Sequence, residues 1–496
     1  MSRVKLSLLI SISAAAVVLQ GCASKAKPFN ATWESLQQYQ APEWFRDAKF
    51  GIWAHWGPQA VPGQGDWYAR RMYLQGDGAY NFHVKTYGHP SEFGYKDIIP
   101  LWKAEKWDPD YLMSLYKKAG AKYFVSMAVH HDNFDLWNST YHRWNAVKMG
   151  PQRDIVGQWQ AAAEKYGLYF GVSEHLAASY TWFTSSHGAD KDGPKAGVPY
   201  DGNDPNYWDL YHPKHDEPFG GGDKWYAKNP QWQQTWQKRI RDLVDQYHPD
   251  LLYSDGGFPF GEVGRELVAH FYNTNMQQHH GKLQAVYTCK DIGSGEFNRQ
   301  ACVQDVERGA MKDINPLPWQ TDTSNGDWYY RTHDRYKTTG QVIRLLADIV
   351  SKNGNMLLNI VLRPDGSLPP ESEKLLAELG PWMEMNGEAI YGTRPWKVYG
   401  EGPTVVGGGH FKEDYPFKAD DIRFTTKGNT LYAIALGVPT TELKIKSLAG
   451  VSITDCRLVG SKEKLQWTQD AEGLTIKPVR QWPCDHAVVF KMKIKQ

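Results

Sequence analysis

The chain has 496 residues, and 56 Lys and Arg against 55 Asp and Glu leave a formal net charge of +1, without the basic excess that holds nucleic acid. A length well beyond ~250 residues excludes a single small domain. Aromatics are abundant, with 21 Trp, 28 Tyr and 18 Phe; apolar rings beside His, Asp and Glu suit sugars, which present C–H faces and hydroxyls.

In chain order the first element is a targeting segment. Arg3 and Lys5 precede an apolar run over 6–19, too short for a membrane span of ~20 residues, and Leu19-Gln20-Gly21-Cys22 follows. This pattern resembles a bacterial lipobox. It implies cleavage before Cys22, lipidation of Cys22, and a membrane partner reached through that anchor. Ala23 in place of Asp after the Cys implies export to the outer membrane and periplasmic space of a Gram-negative bacterium. Residues 22–42 then read as anchor and linker.

From about residue 43, short apolar runs alternate with helical periodicity. The runs predict strands over 49–56, 123–130, 168–174, 251–255, 283–289, 302–307, 319–322 and 356–362. Helices are predicted over 109–118, burying Tyr111, Leu112, Leu115 and Tyr116, over 231–247, with Trp232, Trp236 and Ile240 on one face, and over 338–351, capped by Thr338 or Thr339. Eight strands alternating with helices predict an α/β fold, a (β/α)8-like barrel over 43–395. The stretch 181–223, rich in Gly, Asp, Pro and aromatics, reads as a long loop that shapes a site. Past Gly392 the helical period disappears, and runs such as 430–436 and 486–493 predict a C-terminal all-β sandwich over 396–496.

Chemistry concentrates at strand ends, the rim where such barrels carry their sites. His55 closes the first strand between two Trp; His130 and His131 close the second; Glu174, Asp255, Glu307 and Asp322 close later ones. Adjacent strand residues point to opposite faces, so His130 and His131 can share a ligand only where the strand breaks into a loop. Paired His with Asp132 are also common metal ligands, but their spacing matches no usual zinc motif, and neither metal nor cofactor is expected. After Asp255 come Gly256 and Gly257, which permit close approach to the carboxylate. A glycosidase needs a second carboxyl group as proton donor; Glu307 is the first choice and Glu296 the second. Four cysteines follow Cys22, and their sequence-local grouping suggests Cys289 with Cys302 and Cys456 with Cys484, unpaired buried thiols being the open alternative.

Together the segments Lys49 to Gly57, His130 to Ser139, Ser254 to Gly257, 353–369 and 386–396 resemble the α-L-fucosidases of glycoside hydrolase family 29. The resemblance covers roughly residues 43–396. It implies a barrel followed by a β-sandwich, retention through a covalent fucosyl–enzyme without a metal, and fucosylated glycans as partners. It further implies Asp255 as nucleophile and His55, His130 and His131 as hydroxyl-binding residues. Asp66-Trp67-Tyr68 stands where the family carries Glu-Trp-Tyr, Tyr253 stands where many members have Trp, and Glu174-His175 resembles one bacterial subgroup. The alternatives left open are a related exo-glycosidase such as an α-L-galactosidase, a carbohydrate-binding lipoprotein without catalysis, and a metal-dependent barrel hydrolase.

Overall fold

The computed structural model describes residues 27–495, so the leader and Cys22 lie outside the described residues. Eight parallel strands close into a barrel in chain order. They are β1 Phe50–Ala54, β2 Tyr123–Val129, β3 Tyr169–Glu174, β4 Leu251–Ser254, β5 Val286–Lys290, β6 Val303–Asp305, β7 Trp319–Ser324 and β8 Gly354–Asn359. Each falls on one of the eight predicted runs. Most are buried on both faces, which is why they read as continuous apolar runs rather than alternating ones. Gly51 has a steric reason: a Cβ there would lie 2.3 Å from the Tyr123 ring, whose hydroxyl crosses the barrel to Gln320 Oε1 at 2.9 Å.

Among the described residues six helices of ten residues or more flank the barrel: α1 Pro109–Lys118, α2 Ile155–Lys165, α3 Pro230–Tyr247, α4 Glu262–Gln278, α5 Thr339–Ser351 and α6 Pro370–Asn386. The predicted cap of α5 is Thr338, and α3 has one that was not predicted. The Thr338 side chain accepts from the Gln341 backbone N–H in a capping box, and Asn229 caps α3. One face differs from expectation: α1 buries Leu112, Met113 and Tyr116, whereas Tyr111 is 55% exposed, because the buried stripe is rotated by one position. No helix among the described residues joins β5 to β6 or β6 to β7, and those connections run as loops over the rim.

From β9 Arg394–Glu401 the chain builds two antiparallel sheets. The larger has the order β13-β16-β11-β10-β9, with β10 Ile422–Lys427, β11 Thr430–Ala435, β13 Ile453–Leu458 and β16 Val488–Ile494; the smaller pairs β12 Leu443–Ile445, β15 Gly473–Ile476 and β14 Trp467–Asp470. The period of two sorts the larger sheet between two cores. Leu431, Ala433 and Ala435 face the sandwich interior, while Tyr432, Ile434 and Leu436 join the barrel core.

A buried charge cluster crosses this junction. Asp348 on α5 accepts from Arg423 Nε at 2.6 Å and Lys352 Nζ at 2.7 Å, and all three side chains are buried. Asp348→Ala strands two cations in the interior and is expected to cost about 3–5 kcal/mol, read as a lower melting temperature; an unchanged melting temperature would contradict this.

The suggested disulfides are not formed. All four cysteines of the described residues are free thiols. Cys289 and Cys302 face each other with sulfurs 3.2 Å apart, beyond the roughly 2.05 Å of a bond. Cys456 packs as a small apolar group in the sandwich core, and Cys484 donates to the Ala487 carbonyl at 3.3 Å.

Candidate active site

The C-terminal strand ends converge on a cavity of about 430 Å³. Its lining includes His55 after β1, His130 and His131 after β2, His175 after β3, Tyr253 and Asp255 at the end of β4, and Glu307 just past β6. Asp66 and Trp67 reach it from the loop after β1. A groove of about 750 Å³ between α1 and α6 is larger, but it gathers exposed Lys and Glu and no histidine.

Local backbone explains how neighbouring residues share one target. The register of β2 on β3 shifts between Met127 and Val129, and Asn133 takes φ 60, so the strand breaks where the two histidines begin. Past Asp255, Gly256 adopts φ 130, and a Cβ there would meet the Tyr226 hydroxyl at 2.2 Å and Ser294 Oγ at 2.8 Å. That glycine therefore lets two loops close behind the carboxylate. Tyr226 and Trp225 bind the Asp255 carbonyl at 3.3 Å and 3.2 Å.

The histidines are oriented by the protein. Gln59 Nε2 donates to His130 Nδ1 at 2.8 Å while Gln59 Oε1 accepts from Ala69 N, which leaves the proton of a neutral His130 on Nε2. His131 Nδ1 donates to the His175 carbonyl at 2.7 Å. His131 Nε2 and His175 Nδ1 each lie 3.3 Å from Asp255 Oδ2. Both ring nitrogens of His55 and Nε2 of His175 are buried with no hydrogen bond among the described residues, so polar atoms face a cavity walled by Trp53, Trp67, Trp225 and Trp328. Ligand hydroxyls would satisfy them.

The centre of the site is a residue that sequence reasoning missed. Lys290 ends β5, is only 2% exposed, and its Nζ lies 2.7 Å from Asp255 Oδ1, 2.6 Å from Glu307 Oε2 and 3.5 Å from Asp322 Oδ2. The strand-end rule that marked the acidic residues would have marked it, had a terminal Lys not resembled a surface charge. Burial works against the ammonium, but Asp255, Asp322 and Glu307 hold its pKa well above the usual lysine value. Burial likewise pushes the Asp255 carboxyl up, but Lys290 and then His175 outweigh it and hold the group well below the usual carboxylate range. Glu307 goes the other way. Burial, opposed by Lys290 and aided by Asp322 and Asp255, raises it to about 7. Burial, with the charge of Asp327, also raises Asp66 well above its ordinary value.

Tyr253 donates to Asp322 Oδ2 at 2.9 Å and approaches Asp255 Oδ1 at 3.3 Å. Asp322, noted only as a strand-end residue, thus belongs to the cluster. Glu174 does not: it lies beneath the rim, accepting from Ser254 Oγ and Trp236 Nε1. Glu296, the second choice for proton donor, is outside the cavity, with a side chain 40% exposed and ion-paired to Arg265. As for metals, His130, His131 and His175 bring nitrogens within 4.8 Å of one another, as do the ligand atoms of His55, Asp66 and His130.

Two family descriptions match the chain: alpha-L-fucosidase over residues 16–388 and the alpha-L-fucosidase C-terminal domain over 416–493. The tissue alpha-L-fucosidase of Mus musculus is 30% identical over 473 residues, covering 92% of each chain. The crystal structure of the Thermotoga maritima alpha-fucosidase in complex with fucose superposes with a TM-score of 0.72 at 28% identity, covering 94% of this chain and 100% of that one. A Thermotoga maritima alpha-L-fucosynthase in complex with alpha-L-Fuc-(1-2)-beta-L-Fuc-N3 gives a TM-score of 0.73 at 28% identity, with the same coverage.

Proposed function

Because this chain belongs to the alpha-L-fucosidase family, we propose that it is a retaining exo-α-L-fucosidase releasing terminal fucose from glycans, with Asp255 as nucleophile and Glu307 as acid and base. The carrying observation is one ammonium, Lys290, touching two carboxyl groups of opposite protonation preference. Since both oxygens contact the same nitrogen, they are no further apart than those two contacts laid end to end. That bound on the nearest oxygens fits the roughly 5–5.5 Å of a retaining pair.

In the first step Asp255 attacks the anomeric carbon as the bond to the leaving oxygen breaks, and Glu307 delivers its proton to that oxygen. The β-fucosyl ester on Asp255 is then opened by water, whose proton returns to Glu307, and fucose leaves with its α configuration. His55, His130, His131 and His175 hold the sugar hydroxyls, and Trp67 and Tyr253 complete the wall. Asp66, with its raised pKa, donates as well as accepts. A cavity closed at its floor by the buried Trp53 supports action at a chain end.

The test is hydrolysis of paired aryl α-L-fucoside and α-L-galactoside by the purified protein, with the first-formed anomer followed by NMR and activity measured with and without EDTA. Preference for the fucoside, release of α-fucose and indifference to EDTA are expected. Release of the β anomer would refute retention, and loss of activity with EDTA would transfer the histidines to a metal role.

We further propose that the chain is exported and anchored through Cys22. Cys22→Ser is expected to abolish labelled palmitate incorporation and release the protein from membranes; a variant that still takes up label refutes the anchor.

A further inference from the structure

A loop from the β-domain reaches back over the barrel rim. Between β9 and β10 the chain pairs Gly409 with Ala310, and Gly408 approaches Lys312 so closely that a Cβ would lie 2.7 Å from its nitrogen. His410 Nδ1 accepts from the Glu307 backbone N–H at 3.0 Å, and the Phe411 N–H donates to the Glu307 carbonyl at 2.8 Å. Glu413 fastens the far side, accepting from Thr323 Oγ1 at 2.6 Å and Lys337 Nζ at 2.8 Å. The loop is thereby fixed to the backbone of Glu307.

At its tip stands Phe411, 69% exposed yet lining the same cavity as Asp255 and Glu307, with φ 56. A bulky side chain at positive φ is disfavoured, and Gly or Asn would occupy the position more easily. Neither burial nor local conformation therefore accounts for the ring. Ile292, 41% exposed, also lines the cavity.

We propose that Phe411, assisted by Ile292, is the platform on which the leaving sugar of the substrate stacks, and that it selects pyranose leaving groups with an unbroken C–H face, such as galactopyranose. This rests on the fucosidase reading above. In that reaction the proton donor must touch the oxygen joining fucose to its leaving group, so the surface bonded to Glu307 is on the leaving-group side. The buried His131 and His175 instead contact Asp255 Oδ2, not the Oδ1 that faces Lys290, the cation shared with Glu307. An exposed ring offers a sugar face the dispersion and C–H contacts that aromatic groups supply in carbohydrate sites.

The test compares kcat/KM on a fucosyl-galactose disaccharide with kcat/KM on α-L-fucosyl fluoride, whose leaving group has no ring. Phe411→Asn keeps a residue that tolerates positive φ while removing the ring. The ratio of the two constants is expected to fall about 10-fold in Phe411→Asn and to recover in Phe411→Trp. A ratio unchanged in Phe411→Asn, whether both constants fall together or neither does, overturns the proposal and leaves the loop as structural support for Glu307. Failure of the wild-type protein on both substrates would instead refute the fucosidase reading.

Discussion

Asp255→Gly is expected to lower kcat on aryl α-L-fucosides by on the order of 10^4-fold or more, because no other group can form the covalent intermediate. The variant should fold: the carboxylate sits at the rim after β4, and Gly adds no bulk where Gly256 already needs room. Lys290 retains Glu307 and Asp322 as partners. Azide added to this variant enters the space the carboxylate leaves, beside the ammonium, and attacks from the face opposite the leaving group. The product is β-L-fucosyl azide, the inverted anomer. A folded Asp255→Gly protein retaining a tenth or more of wild-type kcat would remove Asp255 from the role of nucleophile.

Glu307→Ala is expected to split substrates by leaving group. On natural glycans, whose leaving oxygen must be protonated, kcat/KM should fall by about 10^2- to 10^4-fold. Aryl fucosides with acidic phenols should be spared in that first step and slowed in the second, where water needs a base. Azide needs none. It should accelerate turnover and yield α-L-fucosyl azide, since it opens the β-fucosyl ester from the other face. The pH profile gives a further check. The proposed mechanism requires Asp255 charged and Glu307 protonated; Asp255 is held low and Glu307 is raised to about 7. Wild-type kcat/KM should therefore decline as pH rises through about 7, and that alkaline limb should vanish in Glu307→Ala. If Glu296→Ala shows the azide signature instead, the roles of the two glutamates must be exchanged, despite the pairing of Glu296 with Arg265.

The barrel was readable because most of its strands are buried on both faces and bounded by polar strand ends, so length and position sufficed to find all eight. The helical period found α1, α3 and α5 but not the exposure of Tyr111, which depends on a rotation of the stripe that neighbouring elements set. Strand-end position marked His55, His130, His131, Asp255 and Glu307, and family resemblance supplied the roles of the first four. Lys290 had a signal, its place at the end of β5, but its partners come from β4, β6 and β7, and only closure of the barrel brings them to one nitrogen. The loop carrying Phe411 offered only its three glycines. Nothing in its sequence says that a β-domain connection returns to the rim of another domain, because that placement is decided by the packing of the larger sheet on α5 and the barrel core.

In the proposed mechanism the ammonium shared by Asp255 and Glu307 also acts as a clock for the proton. While Asp255 is an anion it competes with Glu307 for Lys290 and repels a second negative charge nearby, so Glu307 keeps its hydrogen and is ready to give it away. The proposed conversion of Asp255 to a neutral ester would remove both effects at once. Lys290 then turns more fully to Glu307, whose anionic form is favoured at the moment when water must be deprotonated. Release of fucose restores the charge on Asp255 and with it the preference of Glu307 for its proton. In that mechanism the order of events is set by a single cation held between the two carboxyl groups.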